Sequence, residues 1–88
     1  MVKVASVRPA SDPVAPVEVL DVRGKACPIP VARTAQTIAS LGAGDVLEVL
    51  ATDPDIDLDA RAWAARTGHE LLSVERRDQV FAVRVRKR

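Results

Sequence analysis

Eighty-eight residues with 13 basic and 12 acidic side chains, a formal net charge of +1 and 48% apolar content describe one domain with material for a core. The single cysteine excludes an intrachain disulfide framework, and with one histidine beside it the chain falls short of a tetrahedral zinc site. Aromatics at 2% are too few for the stacking platforms of single-strand nucleic-acid binders, and a charge of +1 gives no bias toward DNA or a membrane surface.

Residues 1–16 hold Pro9, Pro13 and Pro16 among Ser6, Ser11 and Asp12. Each proline fixes φ and removes a donor, so a flexible tail is expected, the alternative being a weak edge strand through Val2 and Val4. The Met1-Val2-Lys3 start leads into no long apolar stretch, and no run approaches the roughly 20 residues of a membrane span. The expected compartment is the cytoplasm, where a free thiol stays reduced.

From Val17 to Asp21 the residues alternate and are β-branched, which predicts a strand. Arg23-Gly24-Lys25-Ala26 is a loop. A helix is expected from Pro28 to Leu41, its apolar side made of Val31, Ala32, Ala35, Ile38 and Ala39, with Gly42 as the stop. Val46 to Ala51 is almost wholly apolar, as a central strand tends to be, and Thr52-Asp53-Pro54 ends it. The next helix is predicted over Asp57–Thr67, capped by Asp55 or Asp57, turning Leu58, Ala62, Ala65 and Trp63 inward and stopping at Gly68. Glu70–Arg76 and Val80–Arg86 form a hairpin about Arg77-Asp78. Phe81, Val83 and Val85 share one face, while Arg84 and Arg86 take the other and guard an edge. The order β-α-β-α-β-β predicts an α+β two-layer sandwich over residues 17–88: a four-stranded mixed sheet with two helices on one face.

Cys27 is the candidate for chemistry. Pro28 and Pro30 fall in the first turn of the helix that follows it, where missing N–H groups cost nothing. The thiol therefore sits at or just before the helix N-cap. A helix N-terminus favours negative charge, and Arg23, Lys25 and Arg33 lie nearby in sequence, so a lowered thiol pKa and a nucleophilic thiolate are expected. An inert, packed cysteine is the alternative, but such cysteines belong in element interiors rather than at loop-to-helix junctions.

Leu20-Asp21-Val22-Arg23-Gly24 leading into Cys27-Pro28-Ile29-Pro30-Val31 resembles the signature of the TusA family of sulfur-carrier proteins, which share a SirA-like fold. Gly44-Asp45, Thr52-Asp53-Pro54, Asp59 and Thr67-Gly68-His69-Glu70-Leu71-Leu72 extend the resemblance from about Val17 to Lys87. It implies the same β-α-β-α-β-β sandwich and a sulfurtransferase role. Cys27 would accept sulfane sulfur as a persulfide from a cysteine desulfurase or rhodanese-like donor and pass it to an acceptor in tRNA thiolation, molybdenum-cofactor maturation or sulfur oxidation. Arg23, Gly24, Pro28 and Pro30 would shape the motif. No cofactor is implied beyond the transient persulfide. With no second cysteine to resolve it, the sulfur must leave on another molecule. The chain departs from the family pattern at Lys25, commonly aliphatic, and at Asp59-Ala60-Arg61, where the family commonly has Asp-Ile-Pro.

Other signals are weaker. Asp53, Asp55, Asp57 and Asp59 alternate, but Leu58 and Ala64 occupy the positions where a calcium loop needs Gly and Glu, so helix-complementing acids are expected and no metal site. His69 and Trp63 are read as structural. Lys25, Arg33, Arg84 and Arg86 are candidates for partner docking. The alternative function is a non-catalytic regulatory module that binds protein or RNA through the basic C-terminal hairpin; direct nucleic-acid binding is otherwise not expected, given the balanced charge.

Overall fold

The computed structural model describes residues 15–88, so most of the expected N-terminal tail lies outside the described residues. Strand β1 spans Glu18–Asp21, helix α1 Ile29–Ala39, β2 Val46–Ala51, α2 Ile56–Thr67, β3 Glu70–Arg77 and β4 Val80–Arg86. The expected element order holds, and so does the two-layer α+β sandwich. Among the described residues no helix is long and apolar enough to cross a membrane.

The sheet runs β1-β2-β4-β3. β1 lies parallel to β2, with Glu18 opposite Leu47 and Asp21 opposite Leu50. β4 lies antiparallel to both β2 and β3. Thus β2 and β3 are parallel, as a strand-helix-strand unit requires, but β4 is inserted between them. This corrects the placing of Arg84 and Arg86 on an edge strand. They stand on a central strand, opposite Glu48 and Val46 of β2.

Alternation along β2 and β4 aims Leu47, Val49, Ala51, Phe81, Val83 and Val85 at the helices, where they pack with Ile38, Ile56, Ala60, Trp63 and Ala64. A bulge at Leu72 shifts the register of β3, so Leu71 and Val74, three positions apart, both reach this core. The sheet's other face carries Glu48, Leu50, Ala82 and Arg84 and, among the described residues, no helix.

Helix α1 begins after the N-cap Pro28 with Pro30 in its first turn, and buries Pro30, Thr34 and Ile38. Thr34 is only 5% exposed, and its hydroxyl is satisfied there by donating to the Pro30 carbonyl at 2.7 Å. Ala32 and Ala39, expected inside, are exposed. The helix ends at Ser40 in right-handed geometry, so Gly42 is no left-handed stop; Gly44, at φ +90°, makes the following turn. Lys87 closes this end, its Nζ donating to Leu41 O at 2.6 Å and Ala39 O at 3.2 Å.

Helix α2 is rotated from the expected orientation. It buries Ile56, Ala60, Trp63 and Ala64, while Leu58 is 73% exposed and Ala62 and Ala65 face outward. Asp55 is its N-cap residue without a side-chain cap bond, and Gly68 ends it at φ +86°, as expected. The hairpin turn lies at Asp78-Gln79, one residue beyond the expected site, with Asp78 at φ 56°.

The chain enters and leaves the sheet at one pole. Val17 N–H donates to Val46 O and Lys87 N–H to Asp45 O, where β2 begins. Cys27 lies at the opposite pole, beyond the carboxyl ends of the parallel pair β1 and β2.

Candidate functional site

Parallel neighbours send the loops that follow them to the same end of a sheet, which is where α/β sheets build their sites. Here the loop after β1 carries Cys27 and the loop after β2 grips it. Val22 N–H donates to Leu50 O at 2.8 Å, Gly24 N–H to Thr52 Oγ1 at 2.9 Å and Cys27 N–H to Asp53 Oδ2 at 2.8 Å. The second oxygen of Asp53 accepts from Asp55 N–H at 3.0 Å. One carboxylate therefore holds both loops together. Gly24 is needed for its φ of +82°, a turn that L side chains rarely adopt.

Cys27 is exposed and sits immediately before the N-cap Pro28, across a cis peptide bond. Its sulfur end opens into a groove of about 390 Å³ between α1 and α2, lined by Val31, Ala35, Asp59, Trp63 and Arg66 among others.

The electrostatics reverse the expectation from sequence. The Cys27 thiol is pushed above its ordinary range, first by desolvation, then by the charge of Asp59 and a hydrogen bond to its carboxylate, and then by the charges of Asp53 and Asp55. Although the residue is exposed, the groove walls displace part of the water that would solvate a thiolate. All of the causes raise the pKa, and the lowering expected from the α1 N-terminus does not appear among them.

Nor do the basic residues expected to help. Arg23 is committed to Asp21, with Nε donating to Oδ1 at 2.9 Å and Nη2 to Oδ2 at 2.8 Å. This fork, together with the Arg23 N–H, lowers the Asp21 pKa to about 2. Lys25 and Arg33 are exposed and have no ion-pair partner among the described residues. The structure thus brings Cys27, Pro28, Pro30, Arg23 and Gly24 to one pole but sets Arg84 and Arg86 elsewhere. Those two lie on the helix-free face, where Arg84 pairs with Glu48 at 3.2 Å and Arg86 with Glu70 at 3.1 Å. His69 lies at the far end of α2, where its Nδ1 accepts the Arg88 N–H at 3.1 Å and its ring meets Trp63.

Sequence reasoning noted Thr52, Asp53 and Asp59 but gave them no place in the site. The available signal was topological: a parallel β1–β2 pair puts both following loops at one pole.

The sequence profile of the family described as "Sulfurtransferase TusA" matches residues 18–87. The sulfur carrier protein TusA of Allochromatium vinosum is 37% identical over 68 residues, covering 77% of this chain and 90% of that protein. A protein of Bacillus subtilis described as a sulfur carrier is 44% identical over 69 residues; the match takes in 78% of this chain but only 37% of that longer protein. Among solved structures, a SirA-like protein from Desulfitobacterium hafniense superimposes with a TM-score of 0.69 at 27% identity, covering 78% of this chain and 95% of that one.

Proposed function

Since the chain belongs to the TusA sulfurtransferase family of sulfur carriers, we propose that it carries sulfane sulfur as a persulfide on Cys27. The thiolate of Cys27 attacks the outer sulfur of a donor persulfide. A new S–S bond forms to Cys27, the donor's S–S bond breaks, and the donor leaves as a thiol with the proton that Cys27 gave up. No net oxidation occurs. Transfer to an acceptor repeats the exchange with Cys27 as the leaving thiol. The donor is of the cysteine desulfurase or rhodanese type, and the acceptor is a protein of tRNA thiolation, molybdenum-cofactor maturation or sulfur oxidation. The cytoplasm, which keeps a free thiol reduced, suits such a shuttle.

The observation that carries this reading is the placement of the chain's single thiol. It is exposed, gripped through its own backbone N–H, and unable to pair within the molecule. Motif residues Arg23, Gly24, Pro28 and Pro30 hold the loop and helix start around it. Incubation with a persulfide donor, followed by intact-mass spectrometry, tests it. The native chain gains the mass of one sulfur atom and reverts on reduction, whereas Cys27→Ala gains nothing. A native chain that stays unloaded with several donor types would falsify the proposal.

A further inference from the structure

The groove that begins at Cys27 has a polarity that sulfur exchange alone does not require. Val31, Ala35 and Trp63 supply an apolar floor, and the small side chains of Ala32 and Ala62 keep its walls low. Asp59 flanks the thiol end. Arg66, two helical turns along the same face of α2, stands about 10 Å away. Four acids elsewhere are paired, Asp21 with Arg23, Glu48 with Arg84, Asp57 with Arg61 and Glu70 with Arg86. Asp59 and Arg66 have no ion-pair partner among the described residues. An anion without a cation partner, hydrogen-bonded to the thiol, and an unpaired cation further along an apolar trough form a two-point charge pattern.

On the reading that Cys27 exchanges sulfur with other proteins, we propose that the groove seats an extended segment of the partner bearing the partner's own reactive cysteine. A Lys or Arg beside that cysteine faces Asp59, and an acidic residue three positions away faces Arg66. An extended chain rises about 3.3 Å per residue, so three positions span the about 10 Å between the two charges. The residue in between lays an apolar side chain over Val31 and Trp63. The trough is open along its length, with Cys27, Pro28, Ala32, Ala62 and Arg66 all exposed, which suits a peptide laid across it rather than a small molecule enclosed by it.

Short peptides carrying a cysteine as its mixed disulfide with thionitrobenzoate test this directly. Cys27 attacks the peptide sulfur, a Cys27–peptide disulfide forms, and the coloured thionitrobenzoate anion leaves while the thiol proton passes to buffer. Peptides Lys-Cys-Leu-Glu and Glu-Leu-Cys-Lys cover both chain directions, and each is compared with its charge-swapped counterpart. Rates are normalised to the peptide-free reagent, which cancels differences in intrinsic thiol reactivity. The expected result is a preference of about threefold to tenfold for at least one Lys-and-Glu peptide, as two exposed ion pairs supply. The double variant Asp59→Lys/Arg66→Glu, verified as folded by circular dichroism, reverses it. Ala62→Phe, at an exposed position, fills the trough and weakens it. The chain's one tryptophan, Trp63, reports occupancy by its fluorescence. Equal normalised rates, or a preference unchanged in the double variant, would overturn the proposal. The persulfide-loading assay is independent: a chain that loads sulfur but shows no peptide preference refutes the groove proposal alone, and the converse refutes the carrier reading alone.

Discussion

At Cys27 partial desolvation and three carboxylates raise the thiol pKa, and the shift has a measurable sign. Because the thiolate is the disfavoured form, the free carrier holds mostly thiol at neutral pH. The rate of iodoacetamide alkylation against pH should therefore inflect above the ordinary thiol range. Asp59→Asn removes one charge and shifts the inflection down, so alkylation at pH 8 becomes faster; a shift upward would contradict the assignment. Asp21 has the opposite sign. Its pKa of about 2 comes first from the Arg23 side-chain bond, so Arg23→Ala should return it toward the ordinary carboxylate range in an NMR titration. A depressed carboxylate pKa stabilises the fold above its unfolded value, and that contribution is lost as pH falls through about 2. The identity of Cys27 as the candidate residue was legible in sequence, from prolines at a helix start. Its electrostatic setting was not, because Asp53, Asp55 and Asp59 arrive from the other loop and helix, while the nearby arginine of the motif is spent on Asp21.

Between elements, Asp53 carries the contact that sets the site. Asp53→Ala frees the Cys27 and Asp55 N–H groups and should lower stability by about 1 kcal/mol in urea unfolding, with a larger loss in sulfur transfer than in alkylation rate. Asp53→Asn, which keeps one acceptor, should recover part of the transfer. Gly68→Ala forces an L side chain to φ +86° at the end of α2 and should cost about 1–2 kcal/mol. The orientation of α2 shows where periodicity fails. Leu58, Ala62 and Ala65 recur at helical spacing, but so do Ile56, Ala60, Trp63 and Ala64. With alanine on most sides the helix has two apolar stripes. Ile56, whose burial decides between them, fell outside the predicted helix start. In α1 the misplaced residues are Ala32 and Ala39, which are exposed, while Thr34 is buried with its hydroxyl satisfied inside its own helix.

Across the whole molecule the element order was legible because each strand and helix is bounded by its own turn residues. The insertion of β4 between β2 and β3 was not, since it depends on which edge a hairpin folds back against. That placement turns Arg84 and Arg86 from free surface charges into partners of Glu48 and Glu70, and it brings the chain's last residues back to the end of α1. Lys87→Met should thus destabilise the fold by about 1 kcal/mol, seen as a lower urea midpoint at unchanged slope, because two helix-terminal carbonyls lose their donor.

The two-pole layout makes the domain a natural cartridge. Val17 and Lys87 both sit beside the start of β2, while the thiol works at the other end, so polypeptide leaving from either residue starts away from the reactive pole. The Bacillus subtilis relative, in which the matching stretch is 37% of the length, is consistent with such modular use. A tether of that kind would replace diffusive encounter with a fixed local concentration of partner, set by linker length rather than by affinity.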